Sequence, residues 1–196
     1  EDPIWYILKN IKDCLSNNPR QIGRIARALY SMTAEEALTR IEAPPELNTQ
    51  TGPMFRAWLM RTFQPVDIAR FEEINDQIVI LDVSEEAGKQ YIESLGQNIL
   101  KRPDLICKAG SQVIIGEAKW IGQPGGNQTK QVQEVLDFCA QQRDDVRRIG
   151  IIDGFPWAVY NHEGRIIKNK EAVLVQESEY DILSALLLEQ YCQQFM

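Results

Sequence analysis

Residues 102–120 read "RPDLICKAGSQVIIGEAKW". Two apolar runs flank Gly110-Ser111, and Gly followed by Ser signals a two-residue hairpin turn of type II′, with Gly at the positive-φ position. Such a turn pairs Ala109 with Gln112 and Lys108 with Val113. Carried outward, the same register sets Asp104 opposite Glu117. Facing side chains on a strand pair lie with Cβ atoms roughly 4.5–5.5 Å apart. Lys119 follows two residues after Glu117, so the alternation of a strand brings it to the same face.

Two carboxylates at that spacing repel unless a cation lies between them. Hard divalent ions such as Mg²⁺ bind one or two carboxylates together with substrate phosphate. Charge and spacing alone leave a plain alternative open: a solvated charged face, or an Asp–Lys salt bridge at a sheet edge. Against it, Leu105, Ile106, Val113, Ile114 and Ile115 supply apolar residues to both faces, the pattern of buried rather than edge strands. Charged residues are seldom inside unless paired or bound to a metal. The spacing therefore admits a carboxylate metal site with a lysine beside it, and the solvated face or salt bridge stays open.

Pro103-Asp104 followed by Glu117-Ala118-Lys119 resembles the signature of the PD-(D/E)XK nuclease superfamily. The continuation "GEAKWIGQPGGNQTKQVQEVLDF" is similar to one group of type II restriction endonucleases. Looser likenesses are "NTQTGPMFRAWL" upstream and "RRIGIIDGFPW" and "SALLLEQY" downstream, so the resemblance spans residues 47–192. Trp120 stands where a Phe is expected after the lysine. The resemblance implies a Mg²⁺-dependent endonuclease acting on double-stranded DNA, with Mn²⁺ able to substitute. It implies Asp104 and Glu117 as metal ligands, with the Ala118 backbone carbonyl, and Asp104, Glu117 and Lys119 as the catalytic set. Because the target sites of such enzymes are often palindromic, a two-fold symmetric homodimer is expected.

The 196 residues suit one domain with a sizeable core, and no apolar run is long enough to span a membrane. The start "EDPIWYILKNIKD" lacks a cleavable signal pattern and an initiator Met. Cys14, Cys107, Cys139 and Cys192 are far apart and read as buried free thiols of a cytoplasmic protein, and the resemblance to restriction endonucleases implies a prokaryotic one. The net charge of −7 argues mildly against a nucleic-acid partner. Its distribution softens this, since residues 100–150 hold eight Lys or Arg against six Asp or Glu, whereas residues 64–99 hold two against eight. Lys101, Arg102, Lys108, Lys130, Arg143, Arg147 and Arg148 are candidate phosphate contacts, each alternatively an ordinary surface cation.

Apolar spacing predicts three helices over residues 3–43, the third opened by a capping box of Thr33 and Glu36. "IEAPPELNTQTGP" breaks the pattern, and divides a helical segment (1–46) from a nuclease core (47–196). Within the core, helices are expected over 54–63, 70–74 and 85–95, the last after Ser84. "QIVILDV" is expected as the first strand, followed by the hairpin and by a helix capped by Asn127. "RRIGIIDG", "WAVY" and "AVLVQE" read as strands, "NHEG" as a turn, and "EYDILSALLLEQYCQQF" as a closing helix. The whole is an α/β fold, a mixed central sheet flanked by helices. Glu86 and Gln131 are further candidates for the site, with Glu85 and Gln128 beside them. Acidic residues in a first helical turn also simply complement the helix dipole.

His162 is the single histidine and lies in a turn, which disfavours His-ligated zinc and Ser-His-Asp hydrolases. "GQPGGNQTK" lacks P-loop spacing. A type II restriction endonuclease is the leading expectation. A repair or structure-specific nuclease with the same core, and a non-catalytic DNA-binding or scaffold domain, are the alternatives.

Overall fold

Six strands form one mixed sheet in sequence order: β1 (Gln64–Val66), β2 (Ile78–Leu81), β3 (Leu105–Ala109), β4 (Gln112–Ile121), β5 (Val146–Gly154) and β6 (Ile182–Leu183). The computed structural model describes residues 26–27, 30–31, 33–36, 47–122, 125–143, 145–157 and 169–196. Strands β1 and β2 are parallel, β2–β3 and β3–β4 antiparallel, and β4, β5 and β6 parallel. The helices are α1 (Leu47–Thr62), α2 (Ile68–Glu73), α3 (Glu85–Ser94), α4 (Asn127–Cys139), α5 (Lys170–Gln176) and α6 (Leu188–Cys192). The α/β architecture is the expected one.

The hairpin has the expected register. Ala109 faces Gln112, Lys108 faces Val113, and pairing continues to Leu105 opposite Gly116. Gly110 supplies the positive φ of the turn, at 57°. Both strands are central, and alternate residues feed opposite layers. Leu105, Cys107, Ala109 and Ile114 pack with Leu59 and Phe63 of the α1 end and with Leu188 and Cys192 of α6. Ile106 and Ile115 pack on the other face with Phe71 of α2 and Tyr91 and Ile92 of α3. A third cluster joins Ile121 and Ile152 to Val132, Val135 and Leu136 of α4 and Val175 of α5. Full burial of one such aliphatic side chain stabilises by about 1.5–3 kcal/mol. The parity that sends Ile115 to the α2–α3 face of β4 sends Glu117 and Lys119 to that face too, while Asp104 lies just before β3.

Several boundaries differ from the sequence expectation. β1 was not expected: it is a three-residue edge strand containing Pro65, where a missing N–H is tolerated. Thus "QIVILDV" holds the second strand. Helix α1 begins at Leu47 and runs through Gly52-Pro53, which the sequence marked as a break. Gly52 has no Cβ to clash with the proline ring, which relaxes the usual restriction before proline. The 70–74 helix begins earlier, at Ile68, where Asp67 caps it. Ser84 caps α3 through the Ala87 N–H as expected. Asn127 does not cap α4: the chain enters through Gly125 and Gly126, at φ 80° and 60°, and the cap position is Gly126.

"AVLVQE" is helical rather than extended. Asn169 caps it by accepting from the Glu171 and Ala172 N–H groups, and Ala172 and Val175 face inward three residues apart. The expected closing helix is instead β6, a 3₁₀ turn (Ala185–Leu187), the short α6 and a second 3₁₀ turn (Gln193–Phe195). The Thr33–Glu36 capping box forms: the Glu36 N–H donates to Thr33 Oγ1 and the Thr33 N–H to Glu36 Oε2. The first helix, most of the 3–43 segment, Cys14, "AVY", the "NHEG" turn and His162 lie outside the described residues. Cys107, Cys139 and Cys192 are buried and free. Among the described residues no helix is long and apolar enough to cross a membrane.

Candidate active site

The ladder between β3 and β4 ends at Leu105 and Gly116. One step further Asp104 would face Glu117, and two steps further Pro103 would face Ala118, but the strand has already ended. The Asp104 side chain takes over: its Oδ2 accepts from the Ala118 N–H at 2.9 Å. This fixes one carboxylate against the strand that carries the other. Glu117 is nearly enclosed, with a side chain 7 % exposed, and its Oε1 receives Lys101 Nζ at 2.7 Å and Lys119 Nζ at 3.1 Å. Lys119 Nζ also reaches Glu134 Oε2 on α4, at 3.4 Å.

The electrostatics follow from this crowding. Burial, and then the charge of Glu117, hold the Asp104 carboxyl above the usual range, against the opposing pull of the Ala118 N–H, Lys101 and Lys119. Burial alone would lower Lys119, but Glu117 and Glu134 outweigh it and raise its pKa, so the side chain stays an ammonium. Lys119 thus presents a positive charge beside Glu117 at neutral pH.

The donor set suits a hard divalent ion. Asp104 and Glu117 offer carboxylate oxygens, and the like-charge penalty on Asp104 is what a bound cation relieves. Among the described residues no group of three or more His, Cys, Asp or Glu side chains is arranged for a metal. A two-carboxylate arrangement remains, the kind that Mg²⁺ completes with water and phosphate.

The other candidates are placed differently. Glu86 is exposed on α3 and accepts from Gln90 Nε2 at 2.8 Å. Its neighbour Glu85 lies within electrostatic reach of Arg102, as does Asp104. Gln131 is half-buried on α4. Gln128, Gln131 and Glu134 follow one another at three-residue steps and so share a helix face. Gln128 Oε1 is buried without a partner. No described bond joins Glu86 or Gln131 to Asp104 or Glu117.

Two of the candidate phosphate contacts are structural instead. Lys108 is buried, with Nζ on the Phe71 and Glu72 carbonyls at the end of α2, where a cation complements the helix dipole. Arg148 is also buried, donating to Gln97 Oε1 and the Asn98 carbonyl, with its guanidinium over the Phe138 ring. Arg102 turns inward to the Leu81 carbonyl, Arg143 binds the Gly96 carbonyl, and Arg147 lies over Phe195. Lys130 is exposed, and Lys101 lies at the site itself.

Sequence reasoning missed Glu134 and the contact of Lys101 with Glu117. The first depends on which helix crosses beside β4, the second on an irregular segment before β3. Face parity within one hairpin carries neither signal.

A family model describing the Tsp45I type II restriction enzyme matches residues 1–195. The chain belongs to that family. As a Tsp45I-family protein it is a type II restriction endonuclease, with DNA as its substrate. The match reaches over residues 1–46, beyond the 47–192 covered by the sequence resemblance. The sheet and hairpin are those of a restriction-endonuclease-like core. No curated protein and no solved structure gives a significant match.

Proposed function

We propose that this Tsp45I-family endonuclease hydrolyses duplex DNA at a short specific sequence, using Mg²⁺, or Mn²⁺ in its place, at Asp104 and Glu117. The observation that carries the reading is the buried pairing of these carboxylates beside the ammonium of Lys119. The Ala118 carbonyl is assigned as a further ligand, because a strand residue points its N–H and C=O to the same edge and the Ala118 N–H meets Asp104. When bound, the ion supplies Lewis acidity, drawing charge from the phosphate and easing proton loss from water.

The chain's own residues do the rest. Asp104 and Glu117 hold their oxygens in fixed positions without needing to reorganise. Lys119, kept charged by Glu117 and Glu134, stabilises the negative charge that develops at phosphorus and orients the attacking water. Glu86 and Gln131 are outer candidates that contact substrate or ordered water.

One site of this kind cuts one strand, and the chain has a single Pro-Asp…Glu-x-Lys set. A two-fold symmetric homodimer on a palindromic sequence then cuts both. Digestion of plasmid DNA with Mg²⁺ and with chelator, followed by end sequencing, tests the reading. Discrete ends at one short sequence are expected. Nicks or junction cuts without sequence preference would favour the repair-nuclease alternative. Light scattering tests assembly: a dimer on cognate DNA is expected, and a monomer that accumulates nicked circles would contradict it.

A further inference from the structure

The Glu117 carboxylate receives two ammonium groups on one oxygen, and the two differ in how firmly they are held. Lys119 is carried by the central strand β4, is 23 % exposed, and has Glu134 as a second partner. Lys101 comes from an irregular bend, follows the almost fully exposed Leu100, and is 56 % exposed. Its contact is nevertheless the shorter, 2.7 Å against 3.1 Å. Glu117 is too enclosed to seek another partner. Lys101 is the member of the cluster that can leave.

Charge indicates when it leaves. Asp104 and Glu117 carry two negative charges, and Lys101 and Lys119 balance them. A divalent ion entering between the carboxylates would add two positive charges beside two ammonium groups, a repulsion that is strong where water is scarce. Lys119 is anchored by Glu134, so release of Lys101 to solvent is the available relief.

Resting on the metal-site reading above, we infer that Lys101 is a place-holder cation. It neutralises Glu117 in the metal-free enzyme, competes with the divalent ion for that carboxylate, and so sets the affinity of the site. Once displaced, its ammonium is free at the rim of the site to meet a DNA phosphate. Lys101 is a positioning residue in this scheme; it takes no part in bond breaking.

The test measures metal uptake without DNA. Mn²⁺ is titrated into the wild-type chain, Lys101→Met, Lys101→Arg and Glu117→Ala at fixed ionic strength, with free Mn²⁺ followed by electron paramagnetic resonance. Lys101→Met should bind about five- to tenfold tighter than wild type, the effect of removing a competing, partly exposed ion pair and its like charge. Lys101→Arg, which keeps the charge, should stay near wild type. Equal affinity in wild type and Lys101→Met would overturn the place-holder role while leaving the metal site standing. Wild-type uptake that survives Glu117→Ala unchanged would overturn the metal site itself, and the inference with it.

Discussion

Asp104 extends the β3–β4 ladder with its side chain, accepting from the Ala118 N–H at 2.9 Å just beyond the last paired residues. The same carboxyl is held above the ordinary range by burial and by the charge of Glu117. A carboxyl raised in the folded state costs stability when it ionises, and the cost is present at every pH above the raised value. At neutral pH Asp104→Asn removes the charge and keeps an acceptor for the Ala118 N–H. It should therefore raise the metal-free melting temperature while abolishing cleavage. Thermal melts at pH 7 with chelator check this, and a lowered midpoint would contradict the electrostatic account. Mg²⁺ should raise the melting temperature of wild type but not of Asp104→Asn.

In the proposed mechanism Lys119 contributes charge without serving as a metal ligand. Lys119→Met should reduce single-turnover cleavage by about 10²–10³-fold, the usual loss for one preorganised charge donor. Binding of DNA in the presence of Ca²⁺ should persist. A variant that cuts at the wild-type rate yet binds weakly would make Lys119 a phosphate anchor only.

Arg148 supports the fold rather than the substrate. Its guanidinium joins Gln97 and Asn98, after α3, to the end of α4 and stacks on Phe138. Arg148→Ala should cost about 3 kcal/mol in denaturant unfolding, since hydrogen bonds to a charged group contribute roughly 1.5–3 kcal/mol. The salt dependence of DNA binding should stay unchanged, whereas loss of a phosphate contact would reduce its slope by about 1.

Glu171 ties the glycine loop that leads into α4, accepting from the Gly125 N–H at 3.0 Å and from the Thr129 hydroxyl. Burial pushes its carboxyl up, but the hydrogen bonds from Thr129 and the Gly125 N–H outweigh this and hold it below the ordinary 4.5. A depressed carboxyl stabilises the fold above its unfolded pKa, and that stability is lost as pH falls through the folded value. Unfolding midpoints of wild type should drop on acidification below about pH 4.5. Glu171→Gln should be less stable at neutral pH and flatter across that window. Parallel pH profiles for the two proteins would contradict the role of the tether.

The hairpin was legible because one turn fixes its register: once Gly110-Ser111 is read, the pairs from Ala109–Gln112 to Leu105–Gly116 follow, and Glu117 and Lys119 share one face of β4. The β-rich reading of "AVLVQE" failed because a four-residue apolar run has no period to distinguish helix from strand. What decides there is the Asn169 cap and the packing of Ala172 and Val175, both set by the tertiary fold. Lys108 and Arg148 look like surface cations in sequence, yet buried helix ends and loop carbonyls claim them. Glu134 reaches Lys119 because α4 crosses beside β4, a relationship between distant segments that no local spacing records.

The most direct measurement is cleavage of plasmid DNA by wild type and by Glu117→Gln across a Mg²⁺ titration, with circular dichroism to verify folding. Wild type should cut only with the metal, and folded Glu117→Gln should not cut at any Mg²⁺ concentration. Cleavage by the folded variant at the wild-type metal requirement would contradict the site built from Asp104, Glu117 and Lys119.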